Sequence, residues 1–117
     1  MNLITVRHKL EKAWSKETAY NPEFYLGDKA TGQCVVTALI IQELFDGEIV
    51  TGIVTYKNVK ERHYWNRIAG LDIDLTWRQY PAGAHCKFLK IVPRAQLMRN
   101  KSTKERYFKL FSKANGF

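Results

Sequence analysis

The stretch CVVTALIIQELF, from Cys34 to Phe45, constrains this chain more than any other part of it. Val35, Leu39, Ile40 and Leu44 recur at helical spacing, and Val36, Ala38, Ile41 and Phe45 make the same helix apolar almost all round. A helix of that kind is buried, so other elements must surround it. Asp46-Gly47 ends it, with Gly47 as the expected C-terminal cap. The apolar run from Val35 to Ile41 is interrupted by Thr37 and stops at Gln42. A bilayer-spanning helix needs about 20 apolar residues, so no membrane span is expected. The chain has 117 residues, of which 45% are hydrophobic and 26% charged. These values exclude a disordered or low-complexity chain. A chain of this length buries roughly 65% of its unfolded surface, which suits one core and a single domain over residues 1–117.

Elements flank this helix on both sides. Residues 3–16 read as a helix, with Leu3, Val6, Leu10, Ala13 and Trp14 on one face and Asn2 or Thr5 as its cap. Glu17 to Gly32 reads as a loop whose aromatics Tyr20, Phe24 and Tyr25 suggest that it is pinned to the body. Glu48–Tyr56 is β-rich. Arg62–Ile68 and Leu71–Leu75 read as strands joined by a turn at Ala69-Gly70, and Lys87–Val92 as a further strand before Pro93. Ser102-Thr103-Lys104-Glu105 has the pattern of a capping box. It opens a terminal helix with Tyr107, Leu110, Phe111 and Ala114 on one face. The order is helix, loop, buried helix, antiparallel meander, helix. The expected class is α+β, with the Cys-bearing helix packed on an antiparallel sheet and further helices flanking it.

The formal net charge is +8. Arg94, Arg99, Lys101, Lys104, Arg106, Lys109 and Lys113 concentrate it toward the C-terminus. A basic helix there is either a phosphate-binding face or a solvated one. No secretion signal is visible, so a cytoplasmic location is expected, where structural disulfides are rare. The two cysteines, Cys34 and Cys86, have no zinc-site spacing. No metal or cofactor is expected. A free thiol is usually a small buried hydrophobe, so a reactive one must be argued from its surroundings.

Cys34 has such surroundings. It opens the buried helix, where the helix dipole supplies roughly half a positive charge and favours the nucleophilic thiolate. The first-turn amides can bind an oxyanion, and the Gln33 amide offers a further donor. Gly32 lets a substrate approach closely. A base and its orienting group are also needed. His63 lies in a predicted strand, and Asp74 follows eleven residues later in the adjacent one. With the turn near Ala69-Gly70 the two face each other across the hairpin, their Cβ atoms about 5 Å apart. Trp65 and Asn66 follow His63 as candidate substrate contacts, although Trp65, like Tyr64, reads more readily as core.

The strings AWSKETA, GQCVVTALIIQELFDGEI, HYWNRIAGLDIDLTWRQY and RYFKLF resemble the YunG-like family of small, largely uncharacterised bacterial and phage proteins, over roughly Leu10 to Lys113. The order of motifs also resembles the transglutaminase-like branch of the papain-like cysteine peptidase superfamily. There a Cys opens a buried helix, a His begins an H-x-W segment on a strand, and an Asp on the next strand precedes a Thr. The resemblance implies a papain/transglutaminase-like core and puts those roles on Cys34, His63 with Trp65, and Asp74 with Thr76. In the peptidases a Gln lies several residues before the Cys, whereas here Gln33 adjoins it.

Two functions are therefore expected as alternatives. One is a cysteine-dependent hydrolase or acyltransferase acting on a protein, peptide or other amide substrate. The other is a non-catalytic binding protein on the same scaffold, using its basic surface to hold nucleic acid or an acidic protein. A redox-responsive pair of Cys34 and Cys86 is a third, plainer possibility.

Overall fold

The computed structural model describes residues 2–21, 28–115 and 117. Helix α1 spans Leu3–Ala13 and is capped by Asn2, whose side chain accepts from the Thr5 amide at 2.9 Å. It ends three residues earlier than the spacing predicts, because Trp14 leaves the helix with extended backbone. The Trp14 indole N–H instead donates to Thr37 Oγ1 in the core, at 3.0 Å. That bond accounts for the one polar break in the apolar run. Helix α2 spans Cys34–Phe45, with Val36 to Ile41 buried.

Four strands follow: β1 (Glu48–Tyr56), β2 (Val59–Ile68), β3 (Leu71–Ile73) and β4 (His85–Val92). They form one antiparallel sheet in the order β3-β2-β1-β4. This corrects the expected meander, since β4 crosses back to pair with the free side of β1. The three residues of β3 offer little ladder to extend, whereas β1 offers a full strand edge. β2 starts at Val59 because Lys57 and Asn58 both adopt left-handed backbone and close a two-residue turn between β1 and β2. Helices α3 (Arg94–Met98) and α4 (Lys101–Lys113) complete the chain. Neither α3 nor the short 3₁₀ turn Trp77–Gln79 was expected. The cap of α4 is Asn100, which accepts from the Thr103 amide at 2.9 Å, not the Ser102 capping box. The Ser102 hydroxyl accepts from Arg106 instead.

The molecule is α+β, and α2 is its centre. It packs on β2 and β1 to one side and on α4 to the other, with α1 also against α4. Leu10, Trp14, Leu39, Ile40, Ile49 and Leu110 are among the buried side chains that fill this core. Among the described residues, no helix is long and apolar enough to cross a membrane. In the loop before α2, Tyr20 is pinned through its backbone, its amide donating to the Gly32 carbonyl at 2.8 Å, while its ring is exposed. Phe24 and Tyr25 lie outside the described residues.

The strand pairing decides what meets what. Directly opposed residues share a sheet face. Val50 faces Trp65, Gly52 faces His63 and Val54 faces Glu61, so these six share one face, while Ile49 and Asn66 lie on the other. Gly52 also sits where the β1–β4 register shifts. A Cβ there would collide with the Lys87 carbonyl oxygen and lie 3.0 Å from the tip of the Trp65 indole. Gly52→Ala is therefore expected to destabilise the fold by about 1–3 kcal/mol, as overpacking does. Urea denaturation followed by tryptophan fluorescence checks this, and an unchanged midpoint would contradict it.

Candidate active site

His63 is fully buried on the sheet face, beneath a shell of aromatic rings. Trp65 stacks on it with ring centroids 5.7 Å apart, Tyr80 meets it edge-on at 5.0 Å, and Trp77 lies at 5.9 Å. Its Nε2 and Asp74 Oδ2 are 2.7 Å apart, a charge-assisted distance. Asp74 is held in turn by Thr76, whose amide and hydroxyl both reach Oδ1, at 3.2 and 3.4 Å. The pair meets by a different route from the one expected. Asn66 pairs with Ile73 and Ile68 with Leu71, so the position opposite Asp74 is Trp65 and not His63. β3 ends at Ile73, and Asp74 reaches the imidazole diagonally from just beyond the ladder. Diagonal neighbours in a sheet are close enough for such a contact.

Cys34, half-buried as the first residue of α2, lies near enough to the same imidazole to act on its titration. Burial alone would drive His63 toward its neutral form. The hydrogen bond to Asp74, followed by the electrostatic influence of Cys34 and of the Asp74 charge, outweighs that and raises its pKa to about 9. His63 is thus an imidazolium at neutral pH, with one ring nitrogen committed to Asp74. The first-turn amides of Cys34, Val35 and Val36 have no intrahelical carbonyl to bond.

The remaining predicted site residues are placed differently. Gln33 is fully buried, and its side chain is engaged away from Cys34: Nε2 donates to the Ser15 carbonyl at 2.9 Å and Oε1 accepts from Thr18 Oγ1 at 2.8 Å. It anchors the α2 N-terminus to the turn after α1 and is not the expected oxyanion donor. Gly32 has φ +75°, and the close approach that it permits is that of the chain itself. A Cβ there would come within 3.0 Å of the Tyr20 amide nitrogen, so the space expected for substrate is filled by backbone. Asn66 points away from His63, donating to the Ala38 carbonyl of α2 at 2.9 Å, because odd and even residues of a strand face opposite ways. It ties sheet to helix and does not contact substrate at this site. Trp65 is buried between His63 and the partly exposed Phe88, with the Phe88 ring 6.5 Å away, which is the core reading.

The basic series does not form a single face. Arg94 turns inward to the Leu39 carbonyl and the Tyr107 hydroxyl, at 2.9 and 3.1 Å. Arg106 is buried on Thr18, Ser102 and Thr103. Among the described residues no carboxylate pairs with Arg106. Burial pulls its pKa down, opposed by the charges of Cys34 and Tyr20. Lys113 bonds the Ser15 hydroxyl at 2.8 Å. Cys86 is a free thiol, like Cys34, and burial raises its pKa.

Three residues at the site were not anticipated. Tyr80 Oη lies 3.2 Å from His63 Nδ1. Burial raises both the Tyr80 and Tyr56 phenols, and the charge of Glu61 adds to it. Thr18 links Gln33 to Arg106. Only Glu61 had a usable signal, standing two residues before His63 and so on the same strand face.

A raised histidine pKa has a definite consequence for stability. It favours the folded state fully below the unfolded value of about 6.5, and that contribution is lost as pH rises through about 9. Folding free energy is expected to fall across this window by up to about 3 kcal/mol. The decline should be clearly smaller in Asp74→Asn. Urea titrations at pH 6, 7.5 and 9.5 test this, and parallel curves for the two proteins would refute it.

The model of the family described as YunG protein matches residues 2–115. No curated protein and no solved structure matches the chain.

Proposed function

The chain belongs to the YunG family, and for this member of it we propose a cysteine-dependent hydrolase or acyltransferase, with a Cys34–His63–Asp74 triad on a papain/transglutaminase-like arrangement. The observation that carries this reading is the buried imidazole of His63, held at 2.7 Å by Asp74 on one nitrogen, with Cys34 at the start of α2 near enough to raise its pKa. An imidazole committed to a carboxylate has a set tautomer and orientation, as a catalytic base requires.

The chemistry follows from the order of groups. The Cys34 thiolate attacks the carbonyl carbon of an amide or thioester, and a C–S bond forms as the carbonyl oxygen becomes an oxyanion. The α2 first-turn amides, with the helix dipole behind them, stabilise that charge. His63 gives the proton on the nitrogen not held by Asp74 to the departing amine or thiol, and the bond to the leaving group breaks. Water or an acceptor amine then loses a proton to His63 and attacks the acyl-enzyme, and the thiolate leaves. Asp74 stays ionised throughout and stabilises the imidazolium. Cys34 is half-buried while His63 is fully enclosed, so substrate meets the thiol first and the imidazole works from beneath.

Acylation by p-nitrophenyl acetate gives a direct test. A burst of p-nitrophenolate and an acetyl adduct on the Cys34 peptide are expected. Both should vanish in Cys34→Ser, and His63→Ala should slow the burst by about 100-fold, the lower range for general acid–base catalysis. An adduct formed at equal rates with and without His63 would end this reading.

A further inference from the structure

The nitrogen that must serve the thiol has another neighbour. Tyr80 follows the Trp77–Gln79 turn and is buried, its hydroxyl 3.2 Å from His63 Nδ1. Its ring stands edge-on to the imidazole, with an interplanar angle of 87°. It is wedged between Tyr56 at 5.6 Å and Trp77 at 5.1 Å, so the hydroxyl has little freedom except rotation of its own O–H. Glu61 stands two residues before His63 on the same face of β2, and after burial its charge helps to raise the Tyr80 and Tyr56 phenols.

We propose that Tyr80, backed by Glu61, is a positioning residue for His63: its oxygen accepts from the Nδ1–H of the imidazolium while its own O–H is given to Glu61, and that O–H turns to Nδ1 once the ring has lost its proton. This rests on the reading that His63 exchanges a proton with Cys34. No atom leaves the site in the switch. The proton lost from Nδ1 goes to the leaving group, and the phenol keeps its own.

Two physical facts favour this arrangement. The phenol stays protonated, because burial and then the negative charges of Cys34, Glu61 and Asp74 all resist its ionisation. It is thus a permanent O–H that can either accept or donate as its neighbour changes state. The Glu61 carboxylate attracts that O–H when the ring is charged, leaving the phenol oxygen free for Nδ1–H. The charged and titratable groups around the ring come from every layer: Cys34 from α2, Tyr56 from β1, Glu61 from β2, Asp74 from the end of β3, and Cys86 from β4, kept a thiol by burial. Arg106 of α4 feels the Cys34 charge from the far side.

The test is a double-variant cycle in the full chain: Tyr80→Phe, Glu61→Gln and both together. The His63 ring signals are followed by NMR through a pH titration and assigned with His63→Gln. Cys34 alkylation by iodoacetamide at pH 7 is read in parallel. A hydrogen bond to a charged group is worth about one pKa unit or more, so Tyr80→Phe is expected to lower the His63 pKa by about one unit. Glu61→Gln should lower it by less, and should add nothing when Phe already stands at position 80. An unmoved His63 titration in Tyr80→Phe overturns the proposal, as does a Glu61→Gln effect that survives in the double variant. Glu61 is half-buried, so its variant keeps the test open should Tyr80→Phe fold poorly. Alkylation that ignores His63 would instead refute the triad, while the titration cycle still reports on Tyr80.

Discussion

A charged imidazole with no solvent contact is the constraint around which this molecule is arranged. Enclosing such a cation is costly unless its partners are close and well aligned. Asp74 meets that demand at 2.7 Å, and Thr76 fixes the carboxylate in turn. The sheet accommodates the pair by stopping β3 at Ile73, so the next residue is free to reach across instead of continuing the ladder. Aromatic rings seal the remaining sides, and the half-buried thiol sits at the boundary with solvent.

A second network holds the Cys34 end of the arrangement. Gln33, Thr18 and Ser15 form a buried set of side-chain and backbone hydrogen bonds beneath the start of α2, and Arg106 joins it from α4 through the Thr18 carbonyl. The helix end is thereby anchored by side chains pointing inward, while its first-turn amides have no carbonyl within the helix to bond. In the proposed mechanism, anchoring and oxyanion binding are divided between side chain and backbone. That division explains why a glutamine beside the cysteine need not share its chemistry.

Much of this was legible from residue order alone. The buried helix announced itself through an apolar run too complete for any surface, and β1 through its β-branched content. His63 and Asp74 were identifiable because a short hairpin brings residues eleven apart together even when the register is off by a step. The misses share a cause: they depend on contacts between distant segments. Nothing local distinguishes Tyr80 in a polar turn, or shows that β4 returns to β1. Gln33 was misread because its neighbour in sequence is Cys34, whereas its neighbours in space are Ser15 and Thr18. Arg106 was counted toward a surface charge that burial removes, and Arg94 turns inward to the Leu39 carbonyl and pairs with Glu43.

The two-residue turn at Lys57 and Asn58 carries more weight than its size suggests. Both residues adopt a backbone conformation that side chains ordinarily avoid, and together they lock β2 against β1 so that His63 falls opposite Gly52. Side chains alternate along a strand, so one inserted residue would rotate the whole of β2 and send the imidazole to the opposite surface. Length at this hairpin is consequently under tighter restraint than the identity of its tip residues.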